Sequence, residues 1–453
     1  MTTGTEDPDI RDLVIVGAGI TGTSVLFALS AASNVKKITI LERYSGVALV
    51  NSHPLNNSQT SHDGSTETNY NLDHALEVQR AAKLLRGYVV KSGKPGLFKK
   101  THRMVLAVGE QEVTMLILRF EIFKSHYPDL RLIGPKELAE IEPKIMEGRR
   151  SREPVCALIS TEGYAVNYQA TSQSFLDDSQ LLNTDIQFQP LTEVIKVWRR
   201  QDKIYVIETN RGTFRAKFVE FAAGPYSLKF AHELGYGKEY TILSVAGSFF
   251  TAKEKVLGGK VYRCQKAGMP FAEIHGDPDV LNQQITRFGP TTKPILLMER
   301  HKYRTFGAYL KMGLFTIAGL ISLLKITLKK RIFWYVIKNL FYEMPVIGRW
   351  LFTKEVKKII PTIQAKDLEI RQGAGGVRPQ IVDKRTGELQ MGDKTILGDN
   401  CIFNTTPSPG ASVCLANAIR DAERIVKALG PDYRFDRAGL EKELMSAPPP
   451  VQV

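Results

Sequence analysis

Three glycines, an acid, a polar loop holding one histidine, and a late arginine are the residues of this chain whose spacing carries chemistry. Gly17-Ala-Gly19-Ile-Thr-Gly22 has the spacing of a dinucleotide-binding turn. In such a turn Gly17 permits the tight bend, Gly19 lets the backbone approach a pyrophosphate, and Gly22 lets a helix pack closely on a strand. The free N–H groups that open the helix then hold phosphate. Glu42, 20 residues beyond Gly22, is placed to accept hydrogen bonds from both hydroxyls of a ribose. His62 sits in the polar loop and brings an imidazole, which takes up a proton near neutral pH. The plain alternative is a histidine that packs on a cofactor or braces the loop. Arg378, in Gly375-Gly-Val-Arg-Pro379, brings a guanidinium fork that binds a carboxylate bidentately, and its plain alternative is a structural ion pair. Together these residues could hold a dinucleotide, accept a proton and bind a carboxylate.

The elements that position these residues are partly visible. Leu13-Val-Ile-Val16 is a short β-branched run of the kind found in buried parallel strands. It leads into the glycine turn and then a helix from Thr23 to about Ala32, and Lys37-Ile-Thr-Ile-Leu41 ends at Glu42. A strand–turn–helix–strand context is what the glycine spacing needs to be meaningful. Residues 45–72 are rich in Asn, Ser, Thr and His and form a long functional loop. A basic helix is expected over about 73–92, a strand at Met104–Val108, and helices near 110–126 and 135–142. Strand patterns return at 193–198, 204–208 and 217–221, the last running into Ala222-Ala-Gly-Pro225. Near the end, Cys401–Asn404 leads to Pro407-Ser-Pro-Gly-Ala-Ser412 and a helix of about 413–428.

This return to the nucleotide unit at three separate places resembles the D-amino-acid-oxidase type of FAD-dependent oxidoreductase. That resemblance implies a mixed α/β fold: a Rossmann-like FAD-binding domain from 12–80, 150–240 and 370–430, and an antiparallel-sheet substrate domain from 81–149 and 241–369. It implies FAD contacts at Gly17, Gly19, Gly22, Glu42, Asn57, Thr60, Val194, Ala223, Gly224, Gly410, Ala411 and Ser412. Backbone N–H groups at Gly410-Ala-Ser412 would favour the negative charge of a reduced flavin ring. The loop narrows the resemblance. Asn56-Asn57, then Thr60-Ser-His62, then Glu67-Thr-Asn69-Tyr70 looks like the malate:quinone oxidoreductase motif, and Ser408-Pro-Gly-Ala-Ser412 is similar to its closing motif. Gly375-Gly-Val-Arg-Pro379 instead resembles the segment by which 2-hydroxyglutarate and glycine oxidases hold a substrate carboxylate. Arg378 and His62 are therefore the expected catalytic pair, with Glu67 as an orienting partner. Asn56, Asn57 and Thr60 are expected at the flavin rather than the substrate. A dicarboxylate needs a second cation. Arg103 and His102 are considered for it, although a solvated surface face is the expected place for both.

Composition sets the outer limits. A chain of 453 residues, 43% hydrophobic and 24% charged, has ample material for two or three domains with real cores. Four cysteines without a C-x-x-C pair or histidines at ligand spacing argue for a reducing compartment and against a metal site. The first twelve residues are acidic and lack an apolar run, so no signal peptide is expected. The net charge of +14 is concentrated: residues 293–358 hold ten Lys and four Arg against Glu299, Glu343 and Glu355, a local +11. Inside this block, 312–324 is a 13-residue uncharged run, followed by Lys325, Lys329, Lys330, Arg331 and Ile332-Phe-Trp-Tyr-Val-Ile337. Neither run has the roughly 20 apolar residues needed to span a bilayer. Aromatic, Lys-flanked helices fit an interfacial anchor, so 309–350 is expected to dock on an anionic membrane surface from the cytoplasmic side. A buried helical hairpin is its alternative. No nucleic-acid motif accompanies the charge, and no nucleic acid is expected as a partner.

These readings converge on an FAD-dependent dehydrogenase that oxidises a small 2-hydroxy acid, malate to oxaloacetate first among them, and passes electrons to membrane quinone. An oxidase or dehydrogenase of 2-hydroxyglutarate or an amino acid, using another acceptor, is the alternative enzyme. A non-catalytic, membrane-associated flavin-binding protein is the alternative from a different class.

Overall fold

The computed structural model describes residues 10–265, 273–313, 330–371, 373–390, 394–405 and 410–446. Most of the apolar run 312–324 and residues 406–409 of the closing motif therefore lie outside the described residues.

The run that opens the chain is the centre of the first sheet. Strand Ile10–Val16 pairs in parallel with Ile38–Leu41 on one side and Gly212–Phe221 on the other. Leu13, Val14 and Ile15 are fully buried, as a strand covered on both faces requires. Ile186–Gln189 extends the sheet in parallel beyond Ile38–Leu41, and Cys401–Asn404 pairs in parallel with Gly212–Phe221. Three separated stretches thus build one sheet. Helix Ile20–Ala32 lies against helices Tyr168–Leu182 and Cys414–Leu429 and is buried nearly all round, which explains its lack of a polar stripe. Each large aliphatic side chain buried in this layer contributes about 1.5–3 kcal/mol. The helix starts are set by side chains: Asn71 accepts from the His74 N–H and Asn167 from the Ala170 N–H.

The second large sheet has the order Leu368–Ile370, Phe250–Ala252, Thr286–Gly289, His275–Pro278, Lys260–Arg263, Phe98–Val108, Val155–Val166, Leu130–Ile133. All its pairings are antiparallel except Lys260–Arg263 with Phe98–Val108. Here the structure departs from the expected partition of the chain. Val155–Val166 was assigned to the nucleotide segment 150–240. It lies instead between Phe98–Val108 and Leu130–Ile133 in this second sheet, held by pairing along most of its length. A smaller antiparallel sheet, Lys293–Pro294, Tyr240–Ala246, Val377–Asp383 and Glu388–Leu389, carries Arg378. Arg378 therefore arrives on a sheet of its own rather than on the nucleotide sheet.

Candidate active site

The glycine turn has the geometry its spacing implies. Gly17 has φ +107°, and a β-carbon there would stand 2.6 Å from the Ala222 carbonyl oxygen, so the first and second nucleotide segments touch only because no side chain intervenes. A β-carbon on Gly22 would stand 2.0 Å from the Gly17 oxygen, inside the turn itself. Gly19 is the N-cap of helix Ile20–Ala32 and has no side chain to cap it, and the Ile20 N–H donates to the Ser52 hydroxyl at 3.1 Å. The helix start faces a cleft of about 340 Å³, lined by Gly17 and Gly19 but not by Gly22, which packs behind it. Glu42 also lines the cleft. Its two carboxylate oxygens each accept one backbone N–H, from Ala18 and Tyr44 at 2.9 Å, which aims the group while leaving lone pairs for a ligand. Burial pushes its carboxyl above the usual range. A glycine-opened helix start beside an oriented carboxylate is the donor and acceptor set that a dinucleotide requires.

Val194, Ala223 and Gly224 of the second segment line the same cleft, as do Gly410, Ala411 and Ser412 of the third. Asn57, Thr60 and His62 line it from the polar loop. The Asn57 amide is spent on the loop itself, donating to the carbonyls of Asn51 and His53, while its oxygen accepts from the Gln59 N–H. Asn56 and Asn51 reach across to a different element: their side-chain oxygens accept from the N–H groups of Gly375 and Val377, both at 3.0 Å. Asn51 and Asn56 thus tie the loop to the strand that carries Arg378.

His62 is oriented by Glu67, whose Oε1 lies 2.6 Å from Nδ1. Burial alone would raise the Glu67 carboxyl; the hydrogen bond and charge of His62 outweigh it and hold the group below the usual carboxylate range. A carboxylate on Nδ1 places the proton there and leaves Nε2 as the basic nitrogen. The His62 N–H donates to the Ser412 hydroxyl at 2.9 Å, and that hydroxyl donates to the Thr60 carbonyl.

Arg378 lines the cleft and forms no hydrogen bond or ion pair among the described residues. Burial pulls its pKa down from the ordinary value.

Arg103 corrects an expectation. It is not on a solvated face but is 1% exposed, with its guanidinium paired to Asp63 and donating to the Ser61 carbonyl. Asp63 also binds Arg86 at 2.8 Å. Arg103 is consumed in holding the loop from below and is not free to bind a second carboxylate. His102 is half-buried against Glu142, 2.8 Å away. Beside Arg103 in register is Lys260, which binds Asp277 at 3.0 Å and donates to the Ser58 carbonyl. His275 binds Asp277 too, and its ring stands 5.1 Å from that of Tyr262, itself 6.4 Å from His62. Sequence reasoning missed this buried floor, because its charges are individually unremarkable and meet only through sheet register.

Residues 9–429 match the malate:quinone oxidoreductase (Mqo) family. The chain belongs to that family. It is 36% identical over 445 residues to a probable malate:quinone oxidoreductase of Campylobacter jejuni, covering 95% of this chain and 98% of the relative. It is also 36% identical over 441 residues to the malate:quinone oxidoreductase of Helicobacter pylori, covering 94% and 96%. Among solved structures, L-α-glycerophosphate oxidase of Mycoplasma pneumoniae superposes with a TM-score of 0.64 at 17% identity, over 92% of this chain and 95% of that one. Glycine oxidase of Geobacillus kaustophilus gives 0.63 at 14% identity, over 95% and 98%. The fold is thus that of the glycine-oxidase group, and the mixed α/β reading holds. Within the Mqo match, Asn51, Asn56, Asn57, His62 and Arg378 line a single cleft, and Glu67 bonds His62.

Proposed function

We propose that this chain binds FAD in the cleft, oxidises malate to oxaloacetate, and delivers the electrons to a quinone in the membrane. Bound FAD supplies the acceptor for the C2 hydride and passes the reducing equivalents on. The chain does the rest. Arg378 holds the C1 carboxylate, which fixes the C2–H direction. His62 takes the hydroxyl proton at Nε2, and Glu67 stabilises the imidazolium that results. The helix start at Gly19 and the Glu42 carboxylate hold the pyrophosphate and ribose. Gly410, Ala411 and Ser412 offer backbone donors at the opposite end of the cleft. The observation that carries this reading is Arg378: a half-buried guanidinium without a described partner, on the wall of the cleft that His62 also lines, calls for an anion.

Docking at a membrane surface follows from the basic block. Among the described residues no helix is long and apolar enough to cross a membrane. Helices Lys330–Tyr342 and Ile347–Val356 and the turn between them expose Trp334 (62%), Phe341, Val346 (75%) and Trp350. The three acids of the block pair with Arg43 and Lys302 (Glu299), with Lys293 (Glu343), and with Arg263, Lys338 and Lys358 (Glu355), while Arg331, Arg349, Lys354 and Lys357 stay exposed. The outer surface is left basic and aromatic, which fits an anionic lipid interface.

The experiment is anaerobic bleaching of the bound flavin by a panel of acids. Malate is expected to bleach it fastest. Bleaching by 2-hydroxyglutarate or glycine in preference would move the substrate to the alternative enzyme, and no bleaching with any acid would leave only a binding role.

A further inference from the structure

The small sheet that carries Arg378 has two distinct faces. Val245 stands directly opposite Arg378, Leu243 opposite Gln380 and Thr241 opposite Val382, so these side chains share one face. Ile242 and Ile381 point the other way, into the core beside the nucleotide sheet. The Arg378 face is covered by helix Lys330–Tyr342, whose Ile332, Tyr335 and Val336 pack with Leu243, Val245 and Val382. The spacing of Ile332, Tyr335, Val336 and Asn339 is that of one helical face. Tyr335 is the electrostatic neighbour of the Arg378 guanidinium.

The placement of Tyr335 is tied down at several points. Its hydroxyl donates to Thr292 Oγ1 at 3.2 Å. The Thr292 N–H donates to Asn339 Oδ1 at 2.7 Å, and the Asn339 amide donates back to the Tyr335 carbonyl at 2.8 Å. One turn of the helix is thereby clamped to the strand end at Thr292. A long arginine side chain with no described partner needs a wall that limits its rotamers. An acidic wall would neutralise the guanidinium and compete with the substrate. A phenol does not. Burial pushes the Tyr335 hydroxyl up to about 12, so it is neutral wherever the enzyme works.

We propose that Tyr335 is a positioning residue of the acid site: from the inner face of helix Lys330–Tyr342, anchored on Thr292, it sets the Arg378 guanidinium for the substrate carboxylate. The inference rests on the role given to Arg378 under the proposed function and adds a residue and an element to it.

The test uses the FAD-loaded enzyme with two readouts. One is anaerobic flavin reduction by malate, resolved into a limiting rate and an apparent dissociation constant. The other is equilibrium titration of the flavin spectrum with succinate, a dicarboxylate that has no hydroxyl to oxidise. Tyr335→Phe should weaken both acids about five- to tenfold and leave the limiting rate within about twofold. Thr292→Val should act in the same direction, and the double variant should be no worse than the weaker single, because both remove one anchor. Arg378→Ala is the reference and should weaken both acids by about a hundredfold or more. Unchanged affinities in Tyr335→Phe and Thr292→Val, with Arg378→Ala strongly weakened, would overturn the positioning role alone. An unchanged affinity in Arg378→Ala would overturn the carboxylate role beneath it. A Tyr335→Phe enzyme that loses flavin and rate together, with affinity intact, would mark a merely structural tyrosine and also overturn the proposal.

Discussion

The N–H of His62 donates to the hydroxyl of Ser412, joining the polar loop to the start of the last helix at 2.9 Å. The same hydroxyl donates to the Thr60 carbonyl, so one buried serine holds both flanks of the loop turn. Replacing Ser412 with Ala leaves the half-buried His62 N–H without its acceptor, while the Thr60 carbonyl keeps the Tyr168 hydroxyl, at a cost of about 1–3 kcal/mol. The Ser412→Ala protein should release flavin at a lower temperature than the parent, measured by following flavin fluorescence during heating. Release at the same temperature would show that the loop is held by other contacts.

His62 and Glu67 are expected to act as a pair. His62→Asn should lower the limiting rate of flavin reduction by about 10²–10⁴-fold while leaving succinate affinity nearly unchanged. Glu67→Gln removes the charge that stabilises the imidazolium and should lower the same rate by a smaller factor, on the order of tenfold. Stopped-flow reduction reads both. A His62→Asn enzyme reduced at the parental rate would return His62 to a bracing role.

Trp334 and Phe341 lie on exposed helix surface, and neither is needed for the core. Trp334→Glu with Phe341→Glu should abolish flotation with anionic vesicles, since each buried aromatic contributes about 1.5–3 kcal/mol to insertion. Salt should weaken flotation of the parent protein, because each nearby cation contributes about 1 kcal/mol of screened attraction. Parent protein that stays with the soluble fraction at low salt would sink the docking surface.

Asp277 gives a pH prediction. Burial alone would raise its carboxyl, but His275 and Lys260 outweigh it and hold it at about 2, below the ordinary 3.8. A carboxyl depressed on folding contributes stability above its ordinary pKa and loses it as pH falls through the folded value. The contribution, on the order of 2 kcal/mol, should therefore fade between about pH 4 and pH 2. Asp277→Asn should be less stable than the parent at neutral pH and show a flatter decline over that acid window, read from urea midpoints. Parallel declines in the two proteins would remove Asp277 from the acid sensitivity.

What was legible in the chain was local. The glycine turn, its strand and Glu42 fall within about thirty residues, where periodicity and turn chemistry act directly. His62 and Glu67 are five apart in one loop, so their pairing needed no knowledge of the fold. Arg103 was misplaced because its burial depends on Asp63, forty residues earlier, and nothing around Arg103 marks that partner. Val155–Val166 was misassigned for a similar reason: which sheet a strand joins is decided by distant edges, not by its own alternation. Tyr335 lay hidden in a run read only for its apolar outer face, and its second face appears once the register of Val245 and Arg378 is known.

The contact between His62 and Ser412 also governs when this cleft comes into being. Its walls come from the first turn of the chain, from Ala223 and Gly224 midway, and from residues beyond 410 near the end. Synthesis runs from the N-terminus, so a nascent chain still short of Ser412 has the glycine turn but no opposite wall. The cofactor can be locked in only once the chain has been made through Ser412, which leaves chains terminated before that point without a flavin to stabilise them.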